Sequence, residues 1–380
     1  MRQSAVLPTT TDWYARVFGF PEGSLDDTRK FVNHEAVCPP PQPDPVSGLM
    51  IYRYMRHGCS RPIQAGAFEL LSVAELRARV VDALEQIKAL PHGKCLDGDI
   101  TVSNVVSESR ALHTLPELTG AVFQAASQFN CLEFASPSMT PENGITCYCD
   151  DRTQGPACAI AAAAGTQFRQ HGTLMKNGIR GQTRDSQINT LADVEQVIRN
   201  RTGQEPPWTV ENGYIDADGE RLRELNAAIL NDPSLREAMI AALRIGVQFD
   251  TEVTAAFDPA APAYTVNQTF NSAVSVGYSR CSAEDWATVS SLVLCGSYEA
   301  TLLTSVLTNC WRLLKQRPPR PVLLTKLGGG VFQNSTSWIQ AAIEHAIQTL
   351  RPLKIAIDCR IVHFFEVEEG YDLFVRRLAV

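Results

Sequence analysis

Near the C-terminus, the segment PVLLTKLGGGVFQNSTSWIQAAIEHA, residues 321 to 346, sets Gly328, Gly329 and Gly330 between an apolar run of strand length and an amphipathic helical pattern. Glycine has no Cβ, so it admits unusual backbone angles and lets a ligand approach the main chain closely. Several amides can then converge at the positive end of a helix, which is a physical means of holding a diphosphate. A second polar stretch with a glycine, DDRTQGPACAIAAAAGT at 150 to 166, leads into an alanine-rich helical pattern. Asp150, Asp151 and Glu133 lie close to it in sequence and are the candidate carboxylates for acid or base work. Glu299 is the sole charge in LVLCGSYEATLLTSVL. Charges of that kind are seldom buried unpaired, so it reads either as a catalytic acid or base or as half of a structural ion pair. Gln268, Thr269, Asn271 and Tyr278 read either as further polar groups facing the same pocket or as the solvent face of a strand.

Other chemistries are tested by their spacing. A Walker-type loop needs Gly-Lys-Ser/Thr after a spacer, and HGKC at 92 to 95 has neither the hydroxyl nor the earlier glycine. A dinucleotide fingerprint starting at Gly328 and Gly330 would put its third glycine at 333, where the chain has Gln333. Asp358 could imitate the ribose-binding acid of that motif, but little chain follows to complete the fold. Cys147 and Cys149 form a C-x-C pair with Cys158 nearby, without the C-x-x-C spacing of a zinc knuckle, so no metal and no cofactor are expected. A cysteine-dependent hydrolase built on Cys131 or Cys158 stays open, because a thiol and its histidine meet only in space. Neither G-x-S-x-G nor H-E-x-x-H occurs.

The elements that must position these groups follow from pattern. Ser72 and Glu75 stand in capping-box spacing before SVAELRARVVDALEQIKAL, DGDITVSNVVSES and GAVFQAASQFN read as strands, and TQGPACAIAAAAGTQFRQ reads as a helix that lies close to a sheet. Helical stretches at TLADVEQVIRN, ERLRELNAAILN and PSLREAMIAALR precede two β-rich runs, RIGVQFDTEVT and AYTVNQTFNSAVSVGYS. A long helix starts at the Ser282 cap and stops before RPPRP, and LKIAIDCRIVHFF is the last strand. Strands alternating with helices imply an α/β fold whose mixed central sheet carries helices on both faces. Residues 1 to 70, with their proline cluster, read as an N-terminal extension packed on the core, and 71 to 380 as one domain.

With 380 residues, 44% hydrophobic and 20% charged, the chain suits a globular core. A net charge of −7 argues against generic nucleic-acid binding. Eleven scattered cysteines, no apolar run of spanning length and no continuous signal core suggest a membrane-free, reducing setting, cytoplasmic or nuclear. The oligomeric state is not legible.

Taken in order, the elements resemble the macrodomain superfamily, which binds ADP-ribose and includes the poly(ADP-ribose) glycohydrolases. The resemblance covers about half of the chain. In that family a strand enters a glycine-rich turn with a hydrophobic residue and an aromatic; here these are Gly328, Gly329, Gly330, Val331 and Phe332. Another glycine usually follows, where this chain has Gln333 and Asn334. An earlier strand ends in an asparagine at the ribose, matched by Asn130, and a glycine-containing loop opens an alanine-rich helix, matched by Gln154, Gly155, Pro156, Ala157 and Cys158. The glycohydrolase signature of a glycine triplet followed by Gln-Glu-Glu is absent. The resemblance implies a macrodomain-like core with large insertions and a cleft for ADP-ribose or a related nucleotide diphosphate. It also implies either an ADP-ribosyl glycohydrolase or a non-catalytic reader, with an ADP-ribosylated macromolecule as partner.

Overall fold

The computed structural model describes residues 13–57, 59, 61–90, 96–256, 258 and 262–378; the HGKC segment and the first twelve residues lie outside them. Its strands are β1 (Gln42–Pro43), β2 (Met50–Tyr54), β3 (Ile63–Ser72), β4 (Ile100–Val106), β5 (Val122–Ala126), β6 (Trp208–Glu211), β7 (Tyr214–Ala217), β8 (Arg244–Glu252), β9 (Thr265–Asn271), β10 (Val322–Leu324) and β11 (Ile357–His363). Nine of them form one sheet in the order β1-β2-β3-β8-β9-β5-β10-β11-β4, and β6 and β7 form a separate hairpin. The run β9-β5-β10-β11-β4 is parallel, while β8 is antiparallel to both β9 and β3. The sheet is therefore mixed, as expected of this fold class.

The helices are α1 (Trp13–Phe18), α2 (Leu25–Val32), α3 (Val73–Lys88), α4 (Ser109–His113), α5 (Gln154–Ala161), α6 (Ala163–Gln167), α7 (Ala192–Thr202), α8 (Gly219–Asn231), α9 (Pro233–Ala242), α10 (Ala283–Leu314), α11 (Thr336–Leu350) and α12 (Tyr371–Leu378). Strand β9 shows why both faces are covered. Thr269 and Asn271 hydrogen-bond toward Thr301 of α10, whereas Gln268 donates to the Cys158 carbonyl of α5. Alternate residues of one strand thus serve helices on opposite faces. Gln268, Thr269 and Asn271 are buried in that role, whereas Tyr278 lies beyond the strand and is exposed.

Local signals hold where the sequence carries them. Ser72 and Glu75 close a capping box at α3, and Ser282 and Asp285 close another at α10. Helix α10, 32 residues long, has the length and composition of a bilayer-spanning helix, a match the reading of apolar runs did not make; 94% of its apolar window is buried inside the fold, the position of a core helix. The expected single helix at 153–170 is broken into α5, α6 and a π-turn at Phe168–Gly172. Close packing against the sheet is real, since a Cβ on Gly165 would stand 2.8 Å from Gln248 and Thr251 of β8.

The boundary suggested at residue 70 falls inside β3, which pairs with β2 at Ile63–Gly66 and with β8 at Ala67–Ser72. Residues 50–72 therefore belong to the sheet. The preceding α1 contributes Trp13, Tyr14, Val17 and Phe18 to a hydrophobic cluster shared with Leu132, Phe134, Tyr148 and Ala163.

Candidate functional site

Strands β5 and β10 pair only at Val122–Val322 and Phe123–Leu323, and then their carboxyl ends diverge. Two glutamine side chains replace the missing ladder. Gln154 accepts a hydrogen bond from the Ala126 amide (2.8 Å) and donates to the Gln124 carbonyl (2.8 Å), while Gln124 accepts from the Thr325 amide (3.1 Å). The split opens a crevice at the carboxyl ends of parallel strands, where α/β sheets place their ligands. Helices α5 and α11 both begin at this crevice, so two positive helix ends meet there.

The crevice has two chambers. The larger, about 810 Å³, is lined by Glu133, Phe134, Asp150, Asp151, Tyr214 and Tyr278, among others. The smaller, about 290 Å³, has Glu108, Ile339, Val362, Phe364 and Tyr371 in its wall. Arg152, Thr153, Gln154, Thr325, Lys326 and Gly330 line both chambers and so mark their junction. Lys326 is paired with Glu368, and burial holds its ammonium below the ordinary lysine value.

The three glycines differ in what they do. Gly328 has φ +72°, and a Cβ there would overlap Ala273 and reach 2.7 Å from the Asn334 amide nitrogen, so it makes the turn. Gly329 sits over Ile339 of α11. At Gly330 no atom lies within 4 Å of the Cβ position, so its bare backbone faces open space. Within the turn, the amides of Gly329, Gln333 and Asn334 bond to loop carbonyls. Those of Gly328, Gly330, Val331 and Phe332 make no hydrogen bond to a described residue. Asn334 does not line either chamber; its side chain is buried and donates to the carbonyls of Val274 (2.8 Å), Gly328 and Phe332, fixing the loop from behind. Gln333 holds φ +57°, a left-handed conformation in which glycine is at ease.

Glu133 is the buried acid of the site, 1% exposed. Arg169, on the π-turn, reaches both carboxylate oxygens at 3.3 and 3.4 Å, donates to the Cys131 carbonyl at 3.1 Å and lies over the Phe270 ring. Burial pushes the Glu133 carboxyl up to about 7, although Arg169 pulls it the other way. Gly155 lets α5 come this close, because a Cβ there would overlap the Ala126 carbonyl and stand 3.2 Å from Glu133 Cγ.

The structure brings Asp150, Asp151, Gln154, Gly155, Pro156, Gly328, Gly330, Val331 and Phe332 to the larger chamber and Ala157 and Gly329 to the smaller. Three others do not belong. Asn130 lies past the end of β5, fully buried, with its side chain bonded to Gln187 and the Leu132 amide under the β6–β7 hairpin. Cys158 faces the sheet and accepts from Gln154. Glu299 is bound by Arg77 of α3 through two hydrogen bonds (2.6 and 3.0 Å), away from both chambers. The cysteine-dependent hydrolase reading fails on the same ground: Cys131 and Cys158 are wholly buried, and burial pushes both thiols up, away from the thiolate a nucleophile needs. Among the described residues no group of three His, Cys, Asp or Glu side chains could hold a metal ion. Sequence reading missed the hairpin that delivers Tyr214, although Asn212-Gly213, both at positive φ, is a strong hairpin turn signal. Tyr214, Tyr278 and Phe332 form an edge-on aromatic cluster at ring distances of 5.3 to 5.9 Å.

No family model matches the chain, and no curated protein matches it. Solved structures do. Poly(ADP-ribose) glycohydrolase from Deinococcus radiodurans in complex with ADP-ribose is 9% identical over 82% of this chain and 93% of its own, with a TM-score of 0.39. The enzyme from Thermomonospora curvata is 13% identical over 93% and 97%, with a TM-score of 0.37. The latter bound to the inhibitor ADP-HPD is 12% identical, with a TM-score of 0.32. At that similarity the reading of the site rests on its own geometry.

Proposed function

We propose that this macrodomain-like cleft binds ADP-ribose and hydrolyses an ADP-ribosyl glycosidic bond. The observation that carries the reading is the junction of the two chambers. The Gly330 amide is free of described partners there, as are those of Gly328, Val331 and Phe332 on the side of the larger chamber, the N-terminus of α5 lines both chambers, and Arg152 and Lys326 do so too. Converging amides, a helix end and two cations suit a diphosphate.

The chambers give the rest of the ligand a direction. The smaller one, walled by Ile339, Val362, Phe364 and Tyr371 with Glu108 beside them, suits a purine and its exocyclic amine. The larger one holds Glu133, Asp150 and Asp151 and suits the distal ribose and the group linked to it. Glu133, with its raised pKa, would protonate the leaving atom and then take the proton of the attacking water. Asp150 and Asp151, at the mouth of the same chamber, are the other acids within it.

Calorimetric titration with ADP-ribose, alongside incubation with a mono-ADP-ribosylated peptide, tests both parts. Saturable binding with release of ADP-ribose is expected. Binding without release would leave a reader, and failure of ADP-ribose to bind would end the proposal.

A further inference from the structure

The cations Arg152 and Lys326 line both chambers, at their junction; Glu108 and Glu368, the latter paired with Lys326, line the smaller chamber, and Glu133, Asp150 and Asp151 line the larger. That chamber is also far larger than a ribose requires, at about 810 Å³ against about 290 Å³ for its neighbour, and Phe134, Ala135 and Met139 give part of its wall an apolar surface. Asp150 is exposed, and the one hydrogen bond to its carboxylate from a described residue comes from the Cys149 thiol at 3.7 Å; Asp151 accepts from the Thr153 amide.

We infer that the group linked to the ribose is a long, cationic side chain, an arginine of a protein ADP-ribosylated on its guanidinium. This inference rests on the ADP-ribose reading of the same cleft. A second ADP-ribose unit would bring two more phosphate charges toward the carboxylates of Asp150 and Asp151, and a glutamate or serine ester or ether would offer nothing for them to bind. A guanidinium retains its positive charge when glycosylated, matches paired carboxylates with planar donors, and carries three methylenes for the apolar wall.

The chemistry balances with one water. The bond between the anomeric carbon and the guanidinium nitrogen breaks with its electron pair passing to nitrogen, which takes the proton of Glu133. Water oxygen bonds to the anomeric carbon and returns a proton to the Glu133 carboxylate. The products are ADP-ribose and an unmodified, protonated arginine.

The test compares release of ADP-ribose from peptides of matched sequence modified on arginine, serine or glutamate, and from poly(ADP-ribose), with calorimetry of free ADP-ribose as the control. The expected result is a kcat/KM at least tenfold higher for the arginine-linked peptide, with the arginine-to-serine ratio falling toward one in the Asp150→Asn, Asp151→Asn double variant. Binding of free ADP-ribose with equal or faster release from serine, glutamate or the polymer would overturn this inference while leaving the parent reading intact. Absence of ADP-ribose binding would overturn both.

Discussion

Glu133 and Arg169 form an ion pair in which both side chains are fully buried, with Nη2 at 3.3 Å from the nearer carboxylate oxygen. Removing a charged group from water this completely costs several kcal/mol per ion unless the partner compensates, and pairs of this kind gather where a fold needs a group in a particular protonation state. The two residues are 36 positions apart and meet because the helix after the first loop breaks at the π-turn.

Glu133→Gln should lower turnover of an ADP-ribosylated peptide by about a hundredfold or more, the usual worth of a general acid. In the unsubstituted protein, activity should decline as pH rises through about 7, where Glu133 gives up its proton. The stability linked to this group has the same sign. Its folded pKa is raised, so its contribution is fully present below the ordinary carboxylate value and is lost as pH rises through about 7. Chemical denaturation at pH 5 and pH 8, run with the Gln variant beside it, checks this; a slope unchanged by the substitution would rule it out.

The glycine triplet should divide by position. Gly330→Val, which meets no neighbour, should leave the melting temperature within a few degrees and reduce ADP-ribose affinity at least tenfold. Gly328→Ala, at φ +72° with Ala273 and Asn334 in its way, should instead lower stability by about 2 kcal/mol. Thermal unfolding and calorimetry on each variant separate the two effects.

Gln333→Gly should raise stability by a few tenths to about 1 kcal/mol, since a left-handed residue is strained when it carries a Cβ and the gain is partly offset by the freer unfolded chain. Measured by urea denaturation, a loss of stability would mean that the Gln333 side chain, which lies over Gly277, contributes more than the backbone strain costs.

Glu299→Gln should cost about 2 kcal/mol and leave kcat unchanged, because the carboxylate is wholly buried while its Arg77 partner remains a third exposed. A large fall in kcat at unchanged stability would return Glu299 to the chemistry.

Much of the fold was legible because its signals are local. The capping residues Ser72 and Ser282, the small-residue helix against β8 and the strand before the glycine triplet all act within a few positions of themselves. The two facing loops were found in the same way. Asn130 was misjudged because the end of a strand depends on what its neighbour does: β10 leaves β5 early, and the chain after Ala126 turns under the hairpin. Glu299 was ambiguous because a lone charge on an apolar helix states that a partner exists but not where, and Arg77 lies 222 residues away. Gln333 stands where the resemblance expects a glycine, and it holds the left-handed conformation that glycine adopts most easily.

The hydrogen bond from the Thr325 amide to Gln124 joins positions 201 residues apart. One lip of the crevice is therefore made in the first half of the chain and the other close to its end. During synthesis the residues of the first lip, Glu133 and Arg169 among them, emerge long before those of the second, and an N-terminal fragment that stops short of β10 lacks one wall of the crevice. A ligand held at this junction bridges early and late parts of the chain and reports that folding has reached its last strands.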